Sequence, residues 1–197
     1  MENFLTRKHP WYTVVFTALT FGLIDATPAN AASTVRSPIH AVVDTACLHS
    51  LLSRVGETQA FPPDFAETLR SAAPVSMIEM TTAPGCIPCA DLWARLSEFR
   101  ARYHWQVRTI SDQEALIRSG RLGLPWVGHP VAWVRPLNDP GRTIPIAIGT
   151  DHLSNIARNA YLATKMLSGV RPAIALRGMA RYTGIVCSRT PCSSRDR

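Results

Sequence analysis

The sequence predicts an α/β fold: a four-stranded mixed sheet flanked by helices, with a helical N-terminal extension and a basic C-terminal tail. Three observations predict it. Over residues 74–168, apolar runs of strand length alternate with longer runs of helical period. A strong turn signal, Asn138-Asp-Pro-Gly141, separates the last two strand-like runs. The first strand-like run leads through Cys86-Ile-Pro-Cys89 into a helical run. The 197 residues and 46% hydrophobic content are enough for one packed domain with extensions, and they argue against general disorder.

Residues 1–31 read as a secretory signal peptide. Arg7 and Lys8 supply a positive start, Thr13 to Ile24 an apolar stretch, and Ala29-Asn30-Ala31 a small-residue cleavage pattern. That stretch is shorter than the roughly 20 residues a membrane helix needs. The expected location is the periplasm or another exported compartment, with no stable membrane span after cleavage. A retained anchor is the alternative. Residues 32–73 form the extension, with a helix expected from Ile39 to Val55 and a second from Phe65 to Ser71.

In residues 74–168, Val75–Met80 reads as a buried strand. Ala90–Tyr103 reads as a helix with Leu92, Leu96, Phe99 and Tyr103 on one face. Trp105–Ile110 is the second strand. Ser111 and Glu114 form a capping box for a short helix that ends at Gly120. Val131–Val134 and Thr143–Ile148 are joined as a hairpin, and a last helix runs from His152 to about Leu167. A strand–helix–strand start implies parallel pairing with a right-handed crossover; the hairpin adds antiparallel strands.

Cys86 and Cys89 are the candidate catalytic pair. Two cysteines separated by two residues at a strand-to-helix junction suit redox chemistry. The free N–H groups of a helix start stabilise a thiolate, which is the nucleophile of disulfide exchange. Pro88 fits an early helix position, where a missing N–H costs little. Cys47, Cys187 and Cys192 are candidates for structural disulfides, because export permits such bonds. Their pairing stays open: Cys187 with Cys192, or either with Cys47. Five cysteines leave at least one thiol without an intrachain partner. A zinc site from Cys86, Cys89, Cys187 and Cys192 is a weaker alternative, since the second pair has an irregular spacing.

The net charge of +7 is almost wholly arginine; Lys8 and Lys165 are the only lysines. Scattered basic charge does not define a partner. The tail from Gly169 carries six arginines and one acid, but Tyr182 is its only stacking aromatic. Nucleic acid is therefore not an expected partner.

The CIPC motif, the His129-Pro130 step before a strand, the hairpin, and Gly149 leading into the last helix together resemble a thioredoxin-fold protein over about residues 74–167. The resemblance implies a thiol–disulfide oxidoreductase with no organic cofactor, only a redox-active disulfide, and no metal. Cys86 would be the exposed nucleophile and Cys89 the resolving thiol. Pro130 would be cis and face the disulfide, with His129 against the sulfurs as a possible acid or base. Glu79 would be the nearest match to the family's buried acid, displaced by one residue. Clients would dock beside Pro130, with Trp126 supplying apolar surface. The chain departs from the family at Gly85, where tryptophan is usual, and at His129, where a small or β-branched residue is usual.

The expected partners are disulfide-bearing client proteins and a dithiol partner that exchanges electrons. About 30 mV, or about 1.4 kcal/mol, is tenfold in this two-electron equilibrium, so the residues do not set the direction of flow. Two other classes fit the same residues. One is a non-catalytic component of an envelope secretion or conjugative-transfer machine, with CIPC as a structural bond. The other is a metal-handling protein using CIPC with His129.

Overall fold

The computed structural model describes residues 39–123, 126–170 and 181–187. The expected signal peptide, most of the basic tail and Cys192 lie outside the described residues. The main sheet is formed by β2 (Ser76–Thr81), β3 (Gln106–Ile110), β4 (Val131–Pro136) and β5 (Ile144–Ile148), after the short strand β1 (His40–Val42). Its order is β3-β2-β4-β5. β2 and β3 are parallel; β2–β4 and β4–β5 are antiparallel. The helices α1 (Thr45–Leu52), α2 (Phe65–Ala72), α3 (Ile87–Tyr103), α4 (Asp112–Arg121) and α5 (Leu153–Leu167) surround it. The expected mixed sheet with helices on both faces is present.

Local chemistry explains the boundaries. Ser111 accepts a hydrogen bond from the Glu114 N–H at 3.2 Å, so the capping box opens α4. Asp139 accepts from the Gly141 N–H at 3.1 Å and closes the β4–β5 turn. α3 stops at His104, whose φ of 63° is left-handed.

Strand alternation divides the core. Ile78 and Met80 of β2 face Leu92, Leu96 and Phe99 of α3 and Ile156 and Ala160 of α5. Each large apolar side chain buried there contributes about 1.5–3 kcal/mol. α2 shares this core through Phe65, Leu69 and Ala72. The buried Trp105 indole N–H donates to the Leu69 carbonyl at 2.7 Å and ties α2 to the start of β3. The opposite face packs Ala115 of α4 against Val131 and Trp133.

One element departs from expectation. The stretch expected as a helix from Ile39 to Val55 begins as β1, and α1 starts only after Asp44, whose carboxylate accepts from the Cys47 N–H at 2.7 Å. β1 pairs in parallel with β6 (Ile185–Cys187) as a separate two-stranded sheet, in the register His40 with Ile185. Apolar spacing reads the same for a helix as for this strand, and only the distant partner decides it. Ile185 packs with Val42, Leu48 and Leu52, with Ile87 at the start of α3 against that cluster. The first and last described strands therefore meet near the N-terminus of α3.

Candidate functional site

The site grows from the turn between β2 and α3. Gly85, at φ 70°, makes the turn that brings Cys86 to the N-cap position of α3. Cys86 and Cys89 are joined by a disulfide, with Cα atoms 5.2 Å apart. The Cys89 N–H, in the first turn of α3, is shared between the Cys86 carbonyl at 3.1 Å and Cys86 Sγ at 3.3 Å, so a helix-end donor points at sulfur. The first turn of α3 contains no acid. A Cys86 thiolate would be stabilised by both features.

The disulfide is buried. Cys86 is 7% exposed and Cys89 3%. Cys86 was expected to be the exposed sulfur, and β6, the last described strand, accounts for the difference. The Cys187 N–H donates to the His129 carbonyl at 2.7 Å, and that carbonyl oxygen lies 4.0 Å from Cys86 Sγ. The Thr150 N–H donates to the Ile185 carbonyl at 3.0 Å, and the Gly184 N–H to the Ile148 carbonyl at 2.9 Å. The edge beside Pro130 expected to receive a client is thus filled by β6. A groove of about 450 Å³ remains open on another side of the disulfide, lined by Ala83, Gly85, Ile87, Trp93 and Thr109. Trp93 is 40% exposed there. Sequence reasoning missed it because only its neighbours on α3 mark the inward face.

The peptide bond between His129 and Pro130 is cis, as the resemblance implies. Pro130 is buried, and its carbonyl accepts from the Gly149 N–H at 2.8 Å. His129 meets the sulfurs through its backbone carbonyl. Its ring Nε2 lies 3.4 Å from Asp112 at the start of α4. Trp126 packs edge-on against that ring, with centroids 5.1 Å apart. Trp126 is half-buried against the α4-side cluster, so much of its surface is already used in packing.

Glu79 occupies the other sheet face. Its carboxylate is fully buried and bound by Arg118, by Arg108 Nε at 2.9 Å and by Arg135 Nε at 2.8 Å. Burial holds the Arg118 and Arg135 guanidinium pKa values below the ordinary range. Ile78 and Met80 point toward the cysteines, so the intervening Glu79 points away. This corrects the assignment of Glu79 as an acid or base for the cysteines: its position serves ion pairing.

The remaining cysteines separate. Cys47 is disulfide-bonded. Cys187 was a candidate for a structural disulfide and is instead a free thiol. Its sulfur and those of Cys86 and Cys89 all lie within 4.8 Å of one another. Burial holds the Cys187 thiol pKa above the ordinary value. With the disulfide reduced, these three sulfurs are also the residues that could hold a soft metal ion; His129 is not in the cluster. The proximity was not legible in the sequence, because it depends on β6 returning to the start of α3. The arrangement places a free thiol beside a disulfide, the two groups that thiol–disulfide exchange requires. No family model, no curated protein and no solved structure matches the chain.

Proposed function

We propose that the protein is an exported, thioredoxin-like thiol–disulfide oxidoreductase acting through Cys86 and Cys89. The observation that carries this reading is the Cys86–Cys89 bond across the N-terminus of α3, with a helix-end N–H on Cys86 Sγ and the cis His129–Pro130 backbone beside it. In the reducing direction, the Cys86 thiolate attacks one sulfur of a client disulfide. The client bond breaks, a Cys86–client bond forms, and the other client sulfur leaves as a thiolate. The Cys89 thiolate then attacks Cys86 Sγ. The Cys86–Cys89 bond reforms, and the second client sulfur leaves. Two electrons pass from the dithiol to the client, and a second dithiol protein restores them.

The test is a resolving-cysteine trap in the full chain. Cys89→Ala combined with Cys187→Ser removes both internal thiols near Cys86. The variant is expected to accumulate mixed disulfides with client proteins through Cys86, identified by peptide mapping. Failure of Cys86 to form any mixed disulfide, even with a small model disulfide, would contradict the reading.

One observation favours a second reading. β6 covers the edge beside Pro130 and leaves Cys86 buried. A component of an envelope assembly, with CIPC as a fixed brace, accounts for that burial. Such a bond would resist millimolar dithiol while the protein stays folded.

A further inference from the structure

We infer that Cys187 is a third exchanging thiol, presented by β6 to the Cys86–Cys89 disulfide as an internal partner. The inference rests on the reading of that disulfide as exchangeable and goes beyond it by naming how the site is closed. Cys187 is free, its sulfur is within 4.8 Å of both bonded sulfurs, and it is more exposed than either.

The placement is built into the backbone. β6 is held by β1 on one side and by hydrogen bonds from Cys187 to His129 and from Gly184 to Ile148 on the other. Two glycines lie where the strand passes. A Cβ on Gly149 would collide with the Ile185 N–H and sit 2.8 Å from its carbonyl oxygen. A Cβ on Gly128 would sit 3.6 Å from the Cys187 carbonyl oxygen. At Gly149 the φ of 86° also favours glycine. The close approach of β6 therefore depends on the absence of a side chain at Gly149. The Cys187 backbone N–H donates to the His129 carbonyl oxygen, which also lies 4.0 Å from Cys86 Sγ, and the attack is assigned to Cys86 as the sulfur on that side.

The step balances without an external reagent. The Cys187 thiol loses its proton, and the thiolate attacks Cys86 Sγ. The Cys86–Cys187 bond forms, the Cys86–Cys89 bond breaks, and Cys89 leaves as a thiolate that takes up a proton. One disulfide and one thiol exist before and after, so nothing is oxidised or reduced overall. In the new isomer β6 is covalently fixed across the site, and Cys86 is closed to clients. In the original isomer only hydrogen bonds and packing hold β6 there, and a client can displace it.

The test uses the full chain with Cys89→Ala, equilibrated in buffers of oxidised and reduced glutathione. Samples are quenched in acid, alkylated, digested at low pH and mapped by mass spectrometry. The expected product is a Cys86–Cys187 linked peptide, about tenfold or more above the Cys86–glutathione adduct at ~1 mM glutathione, because a held neighbour outcompetes a dilute thiol. A Cys86–glutathione adduct with alkylated Cys187 would overturn the inference while leaving the oxidoreductase reading intact. Cys86 alkylated throughout, with neither product, would overturn both. If Cys89→Ala does not fold, the wild-type protein treated with less than one equivalent of dithiothreitol decides. A Cys86–Cys187 peptide beside the Cys86–Cys89 peptide upholds the inference, and its absence while Cys86–Cys89 exchanges overturns it.

Discussion

The two faces of the main sheet use different means of filling their interiors. Toward α3 and α5 the face is apolar, with Ile78, Leu92, Leu96, Phe99 and Ile156 fully buried, and the disulfide sits at its end. Toward α4 a fully buried carboxylate, Glu79, is held by three arginines beside Trp133. Cys86 and Cys89 belong to that same buried apolar cluster. The ionic face depends on pairing: a buried charge is tolerated only while its partners remain. The difference teaches that the most conspicuous buried charge in this molecule serves ion pairing, while the three-sulfur cluster lies on the apolar face.

The largest expected effect breaks the ionic face. Glu79→Ala strips the shared partner from Arg118 and Arg135, whose side chains are 9% and 11% exposed. It should cost about 3–5 kcal/mol, read from the shift in urea midpoint. The Cys86–Cys89 reduction potential should stay at the wild-type value. A shifted potential with unchanged stability would reverse the roles assigned to the two faces. On the apolar face, Leu96→Ala leaves a cavity beneath α3 and should cost about 2–4 kcal/mol by the same measurement.

A smaller change sharpens the picture at the rim. Gly149→Val places a side chain where the Ile185 backbone runs, at a φ that disfavours it. Stability should fall by about 1–3 kcal/mol. Exchange of Cys86 with glutathione, followed by quenching and mapping, should become faster as β6 lifts. Unchanged exchange in a destabilised variant would show that β6 does not shield the disulfide.

The elements set by local chemistry were legible in the sequence. Ser111 and Glu114 announced α4, Asn138 to Gly141 announced the hairpin, and Leu92, Leu96, Phe99 and Tyr103 announced the buried face of α3. The CIPC motif and the His129-Pro130 step were recognised at sites that the fold brings together. What escaped depends on non-local pairing. β1 exists because β6 returns to it, and Cys187 meets the disulfide for the same reason. Glu79 shows another limit: moving one residue along a strand changes the face, so a displaced acid reaches arginines instead of cysteines.

The smallest effect concerns acid. Hydrogen bonding from Lys165 and then Tyr161 holds the Asp64 carboxyl pKa below its ordinary value of 3.8. A lowered folded-state pKa means stability that is present above 3.8 and is lost as pH falls through the folded-state value. Asp64→Asn should therefore flatten the acid side of the stability–pH curve, measured by urea unfolding, and change only its level at neutral pH. An unaltered acid limb would remove Asp64 from the account.

The central claim is that Cys86 and Cys89 form an exchanging pair, and a redox titration of the folded wild-type protein tests it most directly. Samples equilibrated across dithiol buffers are quenched, alkylated and mapped at each cysteine. Cys86 and Cys89 should pass together from disulfide to dithiol, with a midpoint in the range of about −120 to −270 mV spanned by dithiol oxidoreductases. A Cys86–Cys89 bond that stays oxidised in excess dithiothreitol while the protein remains folded would contradict the claim and leave the bond a structural brace.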